Sequence, residues 1–258
     1  MIEFLLSQTT LVGSLVSTVL ATAAGLLVYA ISYRLIKRYQ TDDLKDPTGS
    51  LFRVVGTLVS LMLSLAFAEV IVDLRAIENA IEREGVAIVD TFNDLYRYDV
   101  EATREIRSLL IDYTQAVIDD DWPTLANDSL GERPGELRRQ LEESVWKLQP
   151  SLPVQEKLLS QILTDLDALS DHRLVRLDSA LAEPPVYLYV IIFGLLITMA
   201  CFGAYRPQGP IIALLSLYTV FVGLVLYLIL ALSDPFQGVG VDPATFEFMV
   251  EKMKARNE

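Results

Sequence analysis

Little in this chain could carry out covalent chemistry. Its 258 residues include one cysteine and one histidine, so the cysteine has no intrachain partner for a disulfide or a thiolate zinc site. Walker, Gly-x-Gly-x-x-Gly, Gly-x-Ser-x-Gly and His-Glu-x-x-His patterns are absent, which leaves no catalytic residues, resident metal or cofactor to expect. Cys201 lies in an apolar run. His172, in Asp171-His172-Arg173, reads as a solvated surface group. Asp119-Asp120-Asp121 lacks the spaced carboxylates and glycine of a calcium loop and reads as an exposed helix end. Positive charge is also scarce: 21 Lys+Arg face 34 Asp+Glu, and a net charge of −13 opposes contact with a phosphate backbone.

What is plentiful is apolar sequence, segregated into blocks. Hydrophobic residues make up 52% of the chain and the mean hydropathy is positive. Phe4 to Tyr33 holds no charge, and at about 1.5 Å per residue such a helix outspans the roughly 30 Å hydrocarbon core. A second run, Val54 to Ala68, ends at Glu69. Two more, Val186 to Tyr205 and Ile211 to Leu232, flank the turn Arg206-Pro207-Gln208-Gly209-Pro210. The expected protein is all-α, with four transmembrane helices. Met1-Ile2-Glu3-Phe4 lacks a basic leader, so the first span is expected to be retained.

Between spans two and three the period is helical. Leu74, Ile77, Ile81, Ile88, Phe92 and Leu95 continue span two as a stalk, with a missed turn at Glu84-Gly85. Ile106, Leu109, Leu110, Tyr113 and Val117 form the next stripe, broken at Asp119–Pro123. Two further helices end at Pro150 and at Pro184-Pro185. The expected division is residues 1–72 for spans one and two, 73–183 for a helical extramembrane bundle, 184–233 for spans three and four, and 234–258 for a C-terminal tail. From Glu69 to Glu183 there are 25 acidic and 12 basic residues, so this stretch carries the chain's whole negative excess.

The loop after span one holds Arg34, Lys37, Arg38, Lys45 and Arg53, and Arg206 adds to the same side. By the positive-inside rule that side is cytoplasmic. The bundle and both termini are then periplasmic in a bacterial inner membrane.

Small residues recur inside the spans. Gly13, Ser17, Ala21 and Gly25 are four apart in span one, and Gly56, Ser60, Ser64 and Ala68 are four apart in span two. Such stripes let backbones approach closely in lipid, and the two are expected to pack on each other or on a neighbouring subunit. Ser60 and Ser64 could instead line a pore, with Phe67 or Ile71 as an apolar constriction. Glu69 and Asp73, one turn apart, would form rings of negative charge at its outer mouth.

The layout resembles the bestrophin-like bacterial membrane proteins, a family with a domain of unknown function. The resemblance spans about Leu51 to Phe246. It rests on Ser64-Leu65-Ala66-Phe67-Ala68, on Glu84 and Tyr113, on Arg173 and Arg176, and above all on Asp234-Pro235-Phe236-Gln237-Gly238 after span four. It implies a multi-span helical protein and an oligomeric ion channel distantly similar to the bestrophin anion channels, with Glu84, Arg176, Asp234 and Gly238 in structural or gating roles and Arg176 paired with Asp234. Bestrophins keep their soluble part in the cytoplasm, whereas the basic loop here places it outside. The reading that results is a homo-oligomeric ring whose second span lines the pore and whose acidic bundle forms a cation-attracting vestibule, with the bilayer and inorganic ions as partners. The alternative is a non-conducting sensor or scaffold whose bundle binds a protein.

Overall fold

A computed structural model describes residues 10–38, 44–126, 129–180, 186–237 and 240–257. The described residues are helical with no strand. In chain order the helices are α1 (Thr10–Ile36), α2 (Lys45–Tyr98), α3 (Arg104–Ala116), α4 (Trp122–Leu125), α5 (Arg133–Trp146), α6 (Pro153–Ala180), α7 (Tyr187–Cys201), α8 (Gly209–Ser233) and α9 (Ala244–Asn257). Four of them, α1, α2, α7 with its 3₁₀ extension to Ala204, and α8, are long and apolar enough to cross a membrane. The chain divides into two units: residues 1–72 with 183–233, and residues 73–182 with 234–258.

The first unit holds the four spans. Its core joins Tyr29 of α1, Val59, Ala66 and Val70 of α2, Ile191, Leu195 and Met199 of α7, and Leu215, Val222 and Ile229 of α8. With no hydrophobic drive between helices in lipid, association depends on how closely the backbones can approach. At two crossings a glycine lets the facing side chain seat directly on the helix backbone. A Cβ on Gly25 would lie 2.3 Å from Thr219 Cγ2, and one on Gly194 would lie 2.3 Å from Val59 Cγ2.

The second unit has an apolar core built from the stripes read in the sequence: Ile77, Ile81, Ile88, Phe92 and Leu95 of α2, Ile106, Leu110 and Tyr113 of α3, Leu141 and Val145 of α5, and Ile162, Leu166 and Leu169 of α6. Pro153 opens α6, where Gln155 Oε1 accepts the backbone N–H groups of Ser151 and Leu152, satisfying donors that a helix start leaves free. Asp99 Oδ1 does the same for Glu101 and Ala102 between α2 and α3.

Two sequence expectations change here. The stretch 234–258 is not a loose tail: α9 packs Phe246, Val250 and Met253 into the second unit's core. Gly85 makes room for it, since a Cβ there would meet the Met249 side chain at 2.5 Å. That is why the stripe misses a turn at this point. The acidic triplet is not a helix end either. Val117–Asp121 forms a π-helical turn leading directly into α4. The wider turn carries the chain to Pro123, whose ring would clash with a regular α-helical carbonyl. The turn residues Asn127 and Asp128 and the boundary Pro184-Pro185 lie outside the described residues.

Candidate functional site

Two arrangements carry the chemistry, one in each unit. In the first unit, helical phase sorts the faces of α2. Val59, Ala66 and Val70 are buried, while Thr57, Ser60, Ser64 and Ala68 are exposed. Along this uncovered face Ser64 Oγ donates to Ser60 O at 2.8 Å, and Thr57 Oγ1 to Arg53 O at 2.8 Å. Each hydroxyl has given its proton to the helix, so the oxygen presents lone pairs to whatever lies alongside. Glu69, on the opposite side of the helix from Ser60, is exposed and accepts a hydrogen bond from the Tyr187 hydroxyl of α7.

The small-residue stripes part company. Ser17 Oγ donates to Gly223 O at 3.1 Å, Ala21 Cβ would touch a Cβ on Gly223 at 2.9 Å, and Gly25 meets Thr219. Gly13 is buried too. Span one therefore spends its stripe on span four, not on span two. In span two, a Cβ on Gly56 would come no closer than 4.0 Å to Thr198 Cγ2. Contact with span three runs instead through Val59 and Gly194. Phe67 and Ile71 are half-buried, and Phe67 packs on the intramembrane core. The exposed large apolar side chains of this helix include Val54, Leu58, Leu61, Leu65 and Val72. Asp73, the first residue of the second unit, is exposed.

In the second unit, Glu84 of α2, Tyr113 of α3, Asp121 and Arg176 of α6 are all fully buried. Arg176 Nε donates to Glu84 Oε2 at 2.8 Å, and Nη2 to Glu84 Oε1 at 3.2 Å and Asp121 Oδ2 at 3.1 Å. Tyr113 Oη donates to Glu84 Oε1 at 3.0 Å. Arg173 Nη2 reaches Asp121 Oδ2 at 3.3 Å, so two carboxylates face two guanidinium groups and the cluster is neutral. Burial by itself lowers the Arg176 pKa, but the charge and hydrogen bonds of Glu84, with Asp121 behind them, outweigh it and hold the group above its ordinary value. Burial pushes the Asp121 carboxyl up against the pull of Arg176 and Arg173. The Tyr113 hydroxyl is driven well above its usual range by burial and by Glu84.

The Arg176 guanidinium stacks on Trp122, 5.5 Å from the ring centre. Trp122 in turn meets Phe236 and Phe246 edge-on, with centroids 5.5 and 5.7 Å away. This gives the Asp-Pro-Phe-x-Gly element a physical role, since its Phe236 closes the aromatic side of the cluster. The turn around it is tight: Val241 N donates to Pro235 O at 3.0 Å, and a Cβ on Gly240 would fall 2.6 Å from Pro235 Cα. Gly238 lies outside the described residues.

The pairing expected between Arg176 and Asp234 gives way to Glu84 and Asp121. In the sequence Asp121 reads as part of an exposed helix end, yet it stands four residues after Val117 on the stripe Ile106, Leu110, Tyr113, Val117, which is a signal for burial. Glu84 likewise occupies the core phase of α2. A charge in a core position calls for a buried partner, and Arg173 and Arg176, three apart on one helix face, supply it. His172 is half-buried on α6, and among the described residues no group of three or more His, Cys, Asp or Glu could hold a metal ion.

These features define a four-span helical membrane protein with a buried ionic cluster in its second unit. A family model for the bestrophin-like domain matches residues 19–246, and the chain belongs to the bestrophin-like family. Among solved structures, a bacterial bestrophin homologue from Klebsiella pneumoniae, as a point variant, superposes with a TM-score of 0.67 at 15% identity over 93% of this chain and 97% of that one. The same homologue in another crystal structure gives 0.61 at 13% identity, over 94% and 98%. A point variant described only as a membrane protein gives 0.69 at 13% identity, over 94% and 98%. At these identities the likeness is one of fold. No curated protein matches the chain by sequence.

Proposed function

We propose that the chain is the subunit of a homo-oligomeric ion channel in which the membrane-spanning part of α2 lines the pore. The observation that carries the reading is the uncovered face of Thr57, Ser60, Ser64 and Ala68. A row of hydroxyl oxygens and small side chains is a poor surface for lipid and a good one for a water-filled axis. Because the hydroxyl protons of Thr57 and Ser64 are given to backbone carbonyls, the face offers acceptors, which solvate cations. Glu69 and Asp73 follow beyond the row, on a different side of the helix, and add carboxylates to the acidic excess of the second unit. Cations are therefore favoured over anions. The basic loop after span one is cytoplasmic, which places residues 73–182 on the periplasmic side of a bacterial inner membrane.

Purified protein should run as a multi-subunit particle in detergent and pass current in planar bilayers. With Cys201→Ala as background, thiol reagents applied to Ser64→Cys should block that current and should leave Ser17→Cys unaffected. Glu69→Gln should lower the cation-to-anion permeability ratio. An unchanged ratio removes Glu69 from the filter, and a silent monomer overturns the channel itself.

A further inference from the structure

The second unit buries two arginines, Arg176 and Arg107, and they are neutralised in different degrees. Arg176 faces Glu84 and Asp121. Among the described residues Arg107 pairs with no carboxylate: its Nη2 donates to Val100 O at 2.7 Å, and its Nε is buried without an acceptor. Helix side chains lean toward the N-terminus, so this guanidinium lies at the start of α3, where positive charge is already in excess. Arg104 is the first residue of that helix. Thr103, in the N-cap position, turns its hydroxyl to Leu95 O and Asp99 O and leaves the first turn uncapped. From α9, Arg256 reaches the same place: its guanidinium lies 4.5 Å from the centre of the Tyr96 ring, and that of Arg107 lies 4.9 Å from it. Burial lowers the Arg107 pKa, and Arg104 and Arg256 push the same way against Tyr96 and Glu101.

We propose that Arg104, Arg107 and Arg256 bind an oxyanion of the phosphate class at the start of α3. A buried cation is stable when a counterion meets it, and the neighbouring acids do not serve: Glu101 and Glu105 are exposed and form no ion pair with these arginines. The donors suit an ion with several oxygens. Guanidinium groups present planar forks of N–H donors that match phosphate, and the uncapped first turn adds backbone N–H groups at the positive end of the helix dipole. Three formal positive charges favour a multiply charged ion over chloride. In a chain of net charge −13, such a concentration of unpaired arginines is a local reversal of sign. The ligand also ties α9 to α3, since Arg256 comes from one helix and Arg104 and Arg107 from the other. The site lies wholly within the second unit and does not rest on the channel reading.

The test uses the full chain in detergent, with inorganic phosphate as the probe and chloride at matched ionic strength as the control. Thermal unfolding of the second unit is read from the fluorescence of Trp122 and Trp146. Phosphate should raise the midpoint saturably, by about 4 °C, and slow hydrogen exchange in the last turn of α9, whereas chloride should do neither. Arg104 and Arg256 are exposed, so Arg104→Gln and Arg256→Gln leave the fold in place, and each should weaken phosphate binding about tenfold. A double variant that keeps the full phosphate response overturns the proposal, as does an equal response to phosphate and chloride in the parent protein. Glycerol phosphate separates the sources of the ligand. Tighter binding of it than of inorganic phosphate supports the site and names a phosphate monoester; the reverse order supports the site and names the free ion. A saturable response in a non-conducting monomer upholds the site and removes only the channel reading.

Discussion

The two units solve opposite problems of burial. In the first, four spans that are apolar all round gain nothing by hiding from lipid, and they are held where small residues leave space: Gly25 against Thr219, Gly194 against Val59, and Gly223 against Ala21. In the second, an apolar core excludes water and thereby has to carry Glu84, Asp121 and Arg176 inside it. The lesson is that one unit is sensitive to added volume and the other to removed charge.

The largest effect is expected from breaking the charge side. Arg176→Met should cost the second unit about 3–5 kcal/mol, because Glu84 and Asp121 are left buried without their cation. Both tryptophans of the chain, Trp122 and Trp146, lie in this unit, so denaturant unfolding followed by fluorescence reads it directly. A loss below about 1 kcal/mol would mean that the cluster is no more than an exposed pair in effect, and the contrast between units would fall. Next comes volume. Gly25→Leu drives a side chain into the stiff, β-branched Thr219 and should cost about 1–3 kcal/mol or more, seen as loss of monodisperse protein after detergent extraction. Ser17→Ala removes only the hydrogen bond to Gly223 O and should cost about 0.6 kcal/mol, measured by steric trapping or thermal denaturation. The smallest change belongs to Gly56→Ala. A Cβ there meets nothing closer than 4.0 Å, so the single chain should keep its stability within about 0.5 kcal/mol. A large loss from this substitution in the assembled particle, with none in the monomer, would place Gly56 at a subunit contact.

The same pattern of small residues thus has two outcomes. Gly13, Ser17, Ala21 and Gly25 are used within the chain, whereas Ser60, Ser64 and Ala68 remain uncovered. Spacing of four shows that a helix face permits close approach; it carries no information about which helix takes up the offer. The same limit explains Phe67 and Ile71, which sit near the hydroxyl face in sequence but half-buried in space, and Gly56, whose nearest cross-helix contact is loose.

Much of the second unit was legible as well. The apolar stripes of α2, α3, α5 and α6 appear in the sequence at their helical phases, and the same residues form the core. The cluster was half legible. Glu84, Tyr113 and Arg176 could be singled out, but Asp121 was hidden by its acidic neighbours, because Asp119 and Asp120 make the triplet look solvated. The π-turn that brings Asp121 inward leads to Pro123, and Asp121 meets Arg173 and Arg176 of α6, 52 and 55 residues further along the chain.

By itself the sequence determined the four spans, the all-helical class and the concentration of negative charge in one segment. These follow from local quantities: run length against bilayer thickness, hydrophobic period, and residue counts. Only the tertiary structure decided that span one packs on span four, that α9 belongs to the second unit's core, that Arg176 is held by Glu84 and Asp121, and that α2 keeps a free hydroxyl face. Each of those depends on contacts between residues far apart in the chain, where the energy lies in fit and in charge pairing, and no local pattern specifies the partner.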